Sequence, residues 1–211
     1  MLLPGIDNTK TYGYSRVPKT KTGAKRERLS REAWLQQALD VLSREGEGKF
    51  RIDAVCAALG VTKGSFYWHF HDRSDFLDAI FAFWVEAYNA RVPETTEQHG
   101  GDAAQRLRYL FNLVTSENLG RYDVAFDAWS SHEPGMAERV KGVYALRYRY
   151  VRSLFRELGY RGIQLEVRTT AFLSFLKSES QVTGKKNLRR NPRRLDAEVA
   201  FFTTPTPGPD W

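Results

Sequence analysis

Between Thr62 and Arg73 the chain gathers hydroxyls, cations and aromatic rings: Thr62, Lys63, Ser65, Tyr67, Trp68, His69 and Arg73 all fall in the run TKGSFYWHFHDR. Lys and Arg neutralise phosphate, and hydroxyl and phenol groups donate to phosphate oxygens. A long side chain at the start of a helix reaches base edges. The chemistry of covalent catalysis is missing from the sequence. There is no phosphate-cradling Gly loop, nucleophile elbow or CxxC pair. Cys56 is the single cysteine, and neither it nor the four histidines show metal-ligand spacing, so no disulfide framework, zinc site or other cofactor is expected. Asp127 and Glu133 are available carboxylates, but six residues apart and without a third partner they make no catalytic pair. These residues suit binding to an anionic polymer, and the chain does not read as an enzyme.

The elements that must hold them are helices. Ser30 offers an N-cap with Glu32 in the first turn, and Leu35, Ala38, Leu39 and Leu42 follow at helical spacing until Gly46. A second short run, Ile52–Val55–Cys56–Leu59, ends at Gly60, which supplies the positive φ of a tight turn. Thr62 is placed to cap a third helix over TKGSFYWHF. Asp72 opens a fourth, whose broad apolar face runs from Phe76 to Tyr88. Ala54, Val55 and Ala58 are small enough for two helices to cross closely, and Val61 can plug the turn. Three short helices with these turns predict a helix-turn-helix, with the start of the third helix left open to a phosphate or a groove floor.

Pro93 and the polar PETTEQHGG stretch are expected to interrupt the fourth helix and to mark a domain boundary. Beyond them Asp102 and Gln105 form a capping-box pattern, Tyr122–Ser130 reads as a helix, and Pro134 opens the cleanest 3.6-residue period, from Val140 to Leu158. Ile163–Ser180 and Pro192–Ala200 follow. No strand alternation or repeat is visible, so the fold class is all-α with eight or nine helices: a basic arm over 1–29, a helix-turn-helix domain over 30–90, a larger helical domain over 91–200 and a tail over 201–211.

The segment Leu35–Leu77 resembles the DNA-binding domain of the TetR family. The resemblance is carried by Gly60–Val61–Thr62–Lys63–Gly64–Ser65–Phe66–Tyr67–Trp68–His69–Phe70 and by the D-R-S-D-F-L that follows. It implies a transcriptional regulator, foremost a repressor, that binds a palindromic double-stranded operator as a homodimer and leaves it when a small molecule binds. It gives Thr62, Lys63 and Ser65 to the groove-facing start of the recognition helix. Tyr67, Trp68 and His69 fall toward its exposed side, and Arg73 toward the DNA backbone. Phe66 and Phe70 become the core face. One position departs from the pattern: Arg51 stands where a capping Thr or Ser is usual, losing a cap worth about 1 kcal/mol while offering phosphate a charge-assisted bond. Two plainer readings stand beside these roles, a solvated cation for Lys63 and an interior contact for Tyr67 and His69.

The resemblance also implies that Ile163–Ser180 and the 192–200 region make the dimer. Ala171, Phe172, Leu173, Phe175 and Leu176 agree, being apolar nearly all round one helix, though a helix central to its own domain looks the same. For an apolar or aromatic effector the candidate lining is Trp84, Tyr88, Tyr109, Phe111, Trp129, Tyr144 and Tyr148, with Asp127, His132, Glu133, Arg147 and Arg149 available to orient a polar group. The alternative use of each ring is plain core. The net charge of +7 sits at the ends: residues 1–29 hold seven Lys/Arg against two Asp/Glu, and residues 185–211 hold six against three. Such an arm either adds phosphate contacts or is a solubilising tail. No apolar run approaches the roughly 18 residues of a membrane span and the start lacks a signal-peptide pattern, so a cytoplasmic protein is expected. The other reading of the whole is a helix-turn-helix protein that acts by protein interaction or coats DNA without sequence preference.

Overall fold

The computed structural model describes residues 29–183 and 192–205, so the expected basic arm, the basic stretch 185–191 and most of the expected tail lie outside the described residues. Ser30 caps α1 (Arg31–Glu45) by accepting from the Ala33 amide at 3.1 Å, and Gly46 ends it at φ 75°. One face of α1, from Trp34 to Leu42, is buried. A single 3-10 turn (Glu47–Lys49) leads to α2 (Ile52–Leu59). Gly60 ends α2 in the left-handed region at φ 66°, and the Val61 amide bonds back to the Cys56 carbonyl at 3.0 Å. The turn is therefore closed by backbone bonds that only an αL residue permits.

The third helix is shorter than the expected nine residues. α3 (Lys63–Phe66) is one turn, continued by a bonded bend in which the His69 and Phe70 amides both reach the Phe66 carbonyl. Thr62 occupies the cap position, but its side chain makes no capping bond, contrary to the role expected for it. Asp72 does cap α4 (Arg73–Val85), accepting from Asp75 at 2.9 Å.

Pro93 does not break the next helix. After α4 the chain passes through a π turn (Glu86–Ala90) into α5 (Arg91–His99), and the run stops only at Gly100. Proline in a helix loses one amide and crowds the carbonyl four residues back. That carbonyl belongs to Asn89, inside the widened turn, where the Asn89 amide side chain also bonds the Trp84 carbonyl at 2.8 Å. The helix is accommodated by local widening, and one continuous rod joins the two halves of the chain.

The larger half packs α6 (Ala103–Ser116), α7 (Gly120–Ser130), α8 (Pro134–Glu157), α9 (Gly162–Thr183) and α10 (Pro192–Thr203), with α8 against α6, α7 and α9 and α10 against α6 and α9. The Asp102–Gln105 capping box is present on α6, and Pro134 opens α8. Helix α7 packs on α1 as well as on its own domain. Among the described residues there is no strand, and no helix is long and apolar enough to cross a membrane.

The apolar residues of α9 divide between the inside and the surface. Phe172 and Leu176 are buried within the chain's own core, and Phe175 stacks on Phe111 at 5.4 Å. Ile163, Val167 and Ala171 are exposed at four-residue spacing on α9, and on α10 Phe201 is 76% exposed.

Gly60 tests the turn. A Cβ there meets nothing within 4 Å, so only the positive φ opposes it. Gly60→Ala should cost about 1–2 kcal/mol in denaturant unfolding. A neutral substitution would show that the turn does not require the left-handed conformation.

Candidate nucleic-acid interface

A four-residue helix has no stability of its own, so its placement rests on what anchors it. Phe66 and Phe70 are that anchor, both buried against Trp34 and Phe76: Trp34–Phe66 ring centres are 6.0 Å apart, Phe66–Phe76 5.2 Å and Phe70–Phe76 4.4 Å. With that face fixed inward, Tyr67 is left 62% and Trp68 76% exposed, and Thr62 and Lys63 lie on the surface beside them. Ser65 is half-buried. His69 is half-buried too, its ring 6.0 Å from Trp34, so it divides its surface between core and solvent.

Three of the expected cations already have partners. Lys63 Nζ lies 3.3 Å from Asp53 of α2, both side chains more than half exposed. Arg51 folds back on its own turn and donates to the Gly48 and Phe50 carbonyls at 3.2 and 3.1 Å. Arg73 pairs with Glu47 at 2.7 Å. Exposed pairs of the Lys63 kind hold by less than about 1 kcal/mol, so Lys63 can leave Asp53 for a phosphate or a base at small cost.

Sequence reasoning missed the groups that tie this surface to the rest of the molecule. Glu47 receives Arg73 on one oxygen and His132, from the end of α7, at 3.6 Å on the other. Deeper, α1 offers Gln36 and Asp40, one turn apart, to α7. The buried Tyr122 hydroxyl donates to Asp40 at 2.7 Å and accepts from Gln36 at 3.0 Å, Arg121 lies 3.3 Å from Asp40, and Tyr88 donates to Gln36. Burial, with nearby Tyr88, drives the Tyr122 phenol far above its ordinary range, so it remains a donor at any working pH. The only trace of this cluster in the sequence is the i, i+4 spacing of Gln36 and Asp40.

Helices α6 to α9, with α5 and the π turn, surround a partly open cavity of about 70 Å³. Of the seven expected lining residues only Tyr88 borders it. Trp84 is in the core, stacked on Phe126 at 4.2 Å, and Trp129 also stacks on Phe126, at 6.0 Å, while donating to Glu133. Tyr109 stacks on His99, and Phe111 packs with Phe172 and Phe175. Tyr144 donates to Asp127 at 2.7 Å, and Tyr148 donates to Glu166. The walls are aliphatic, chiefly Val92, Leu110, Val114, Leu119, Leu173 and Leu176. Of the polar groups considered for orienting a ligand, Arg147 reaches the cavity, while Arg149 is exposed on the surface.

Residues 35–80 match the family described as "Bacterial regulatory proteins, tetR family". The likeness to that family rests on this segment, from within α1 to within α4. The HTH-type transcriptional regulator AcrR of Shigella flexneri is 36% identical over 101 residues, which cover 48% of this chain and 46% of that regulator. The chain thus matches less than half the length of this curated relative. Two solved structures share the all-helical fold. AibR, in complex with isovaleryl coenzyme A and operator DNA, superposes with a TM-score of 0.64 at 16% identity, over 84% of this chain and 100% of that one. The regulator FadR from Bacillus subtilis, in complex with stearoyl-CoA, has a TM-score of 0.58 at 13% identity, over 81% and 96%.

The Glu47 junction is open to test by pH. The hydrogen bond from Arg73, aided by His132, holds the Glu47 carboxyl below its usual range against the opposing effect of partial burial. A carboxyl depressed on folding stabilises the fold above its unfolded pKa and loses that effect as pH falls through the folded value. Glu47→Gln should therefore be destabilising at about pH 7, and the deficit should shrink below about pH 4. An equal deficit at both pH values, measured by urea unfolding, would place its role in packing instead of charge.

Proposed function

We propose that the chain is a sequence-specific DNA-binding regulator that acts as a homodimeric repressor and is released from an inverted-repeat operator by a small molecule. The observation that carries this reading is the orientation of α3. Phe66, and Phe70 in the bend that follows, are locked inward, and Lys63 and Tyr67 stand exposed to solvent. A helix start presented in this way is the geometry by which a recognition helix enters the major groove. In this reading residues 30–90 are the reading head and 91–200 the regulatory and dimerising part. Thr62, Lys63 and Ser65 approach the bases, while Arg51, Tyr67, Trp68, His69 and Arg73 meet the flanking backbone.

The route from ligand to DNA is α7. It borders the cavity through Gly120 and Asp123, and it grips α1 through Arg121 and Tyr122. A ligand that shifts α7 therefore acts on the helix against which Phe66 and Phe70 are packed. The operator and coenzyme A complexes of AibR support the reading by analogy of fold.

Two experiments test it. Lys63→Ala should relax preference at one or two operator positions, costing roughly 1–3 kcal/mol of discrimination. Tyr67→Phe should instead weaken specific and unrelated DNA in step. Selections from randomised half-sites with the two variants decide the assignment, which is reversed if Tyr67→Phe changes the preferred base and Lys63→Ala does not.

The dimer is proposed to form on the outward stripe of α9 with Phe201 of α10. Val167 is 58% exposed, so Val167→Glu should leave the melting temperature of the subunit unchanged while sedimentation reports a monomer at micromolar concentration. A variant that remains dimeric would place the interface elsewhere.

A further inference from the structure

The cavity of the larger domain is apolar along most of its wall and charged at one corner. There Arg147 of α8, Asp123 of α7, Asn89 of the π turn and Lys177 of α9 converge. Arg147 is held by three bonds to two partners: its two terminal nitrogens donate to the two oxygens of Asp123 at 2.6 and 2.9 Å, and Nε donates to Asn89 Oδ1 at 2.5 Å. Lys177 pairs with Asp127 at 2.7 Å, and its ammonium lies 4.6 Å from the centre of the Tyr144 ring. Asp127 is not on the cavity wall, whereas Arg147, Lys177 and Asp123 are. The corner thus sets Arg147, Lys177 and Asp123 together on the wall of a mainly aliphatic chamber.

A core built only for stability has little use for this arrangement, since a buried ion pair is rarely worth more than the apolar packing that could replace it. In a binding site it makes sense. A guanidinium already oriented by Asn89 and Asp123 presents a planar fork, and its partner Asp123 can be replaced by another carboxylate of the same shape and charge. Apart from Tyr88 and Tyr150 the apolar wall is built of Val, Leu and Pro side chains, which suits a hydrocarbon chain better than an aromatic plate.

We propose that the cavity takes an aliphatic carboxylic acid, its carboxylate bound by Arg147 and Lys177 in competition with Asp123 and its chain lying along Val92, Leu110, Val114 and Leu173. This rests on the reading of the chain as a ligand-responsive regulator and names the chemical class of the effector. No bond is made or broken. Asp123 exchanges its partner for water or a shifted position on α7, one residue from the Tyr122 hydroxyl that holds α1.

The test is calorimetric titration of the full chain with octanoate, 1-octanol and octylammonium, three probes with the same chain and different heads. Octanoate should bind about tenfold or more tighter than octanol, the value of one charge-assisted hydrogen bond, and octylammonium should be the weakest. Asp123→Asn removes the competing charge and should tighten octanoate by roughly tenfold without helping octanol. Lys177→Gln, on a partly exposed side chain, should weaken octanoate alone. Arg147→Gln alone leaves Asp123 buried without its cation and is at risk of unfolding, so the double variant Asp123→Asn/Arg147→Gln is the second line; it should lose the preference for octanoate over octanol. Absence of octanoate binding, equal binding of octanol, or a weaker octanoate complex in Asp123→Asn would each overturn the proposal. DNA binding by the same preparations separates the two levels. Selective DNA binding with no octanoate effect removes only the ligand class, whereas loss of DNA selectivity removes the regulator reading whatever the titration gives.

Discussion

The interior contact of Phe66 and Phe70 with Trp34 and Phe76 is the constraint on which the arrangement depends. α3 is a single turn without a side-chain cap, so neither helix propensity nor capping holds it. Aromatic burial does, and each large ring of this kind contributes about 3–5 kcal/mol when judged by truncation. With those two rings inside, Lys63, Tyr67 and Trp68 are left at the surface. The surface that faces DNA in the proposed function is thus a consequence of how the core is filled.

The same α1 that carries Trp34 also carries Gln36 and Asp40, and through them the head is joined to α7. This junction is polar and mostly satisfied, with Tyr122 as the shared donor and acceptor. Buried polar networks of this kind specify one relative arrangement of two elements, because any slip leaves a donor or acceptor unmatched. They also give way together once one member is displaced. Asp123 follows Tyr122 directly on α7, so the charged corner of the cavity and the polar junction to the head are adjacent in sequence and share one rigid element. The Glu47 contact with Arg73 and His132 adds a second tie, nearer the surface.

What could be read from the sequence was local. The caps at Ser30, Asp72 and Asp102, the left-handed Gly60 and the Pro134 start each depend on a few consecutive residues, and the structure places them as expected. Thr62 was the exception, since cap identity alone does not fix the direction of a hydroxyl. The Pro93 break failed because a widened turn upstream offered the backbone another solution. The cavity lining is not legible in the sequence for a physical reason: helical spacing shows that a face is apolar but not whether it meets a neighbour or a void. Large rings fill space best, so Trp84, Trp129 and Phe111 became core, and the walls fell to Val and Leu. Asn89, Asp123, Arg147 and Lys177 come from four separate elements, and nothing in their spacing announces that they meet.

The central claim is that the outward side of α3, presented twice by a dimer, reads a defined DNA sequence. Its most direct test is selection from a fully randomised duplex pool with the purified full-length chain, at two salt concentrations. The account predicts enrichment of an inverted repeat whose half-site centres lie about one helical turn or a multiple apart, with the same sequence recovered at both salts. A recovered pool without a shared sequence, bound more weakly as salt rises, would contradict it and leave only phosphate attraction.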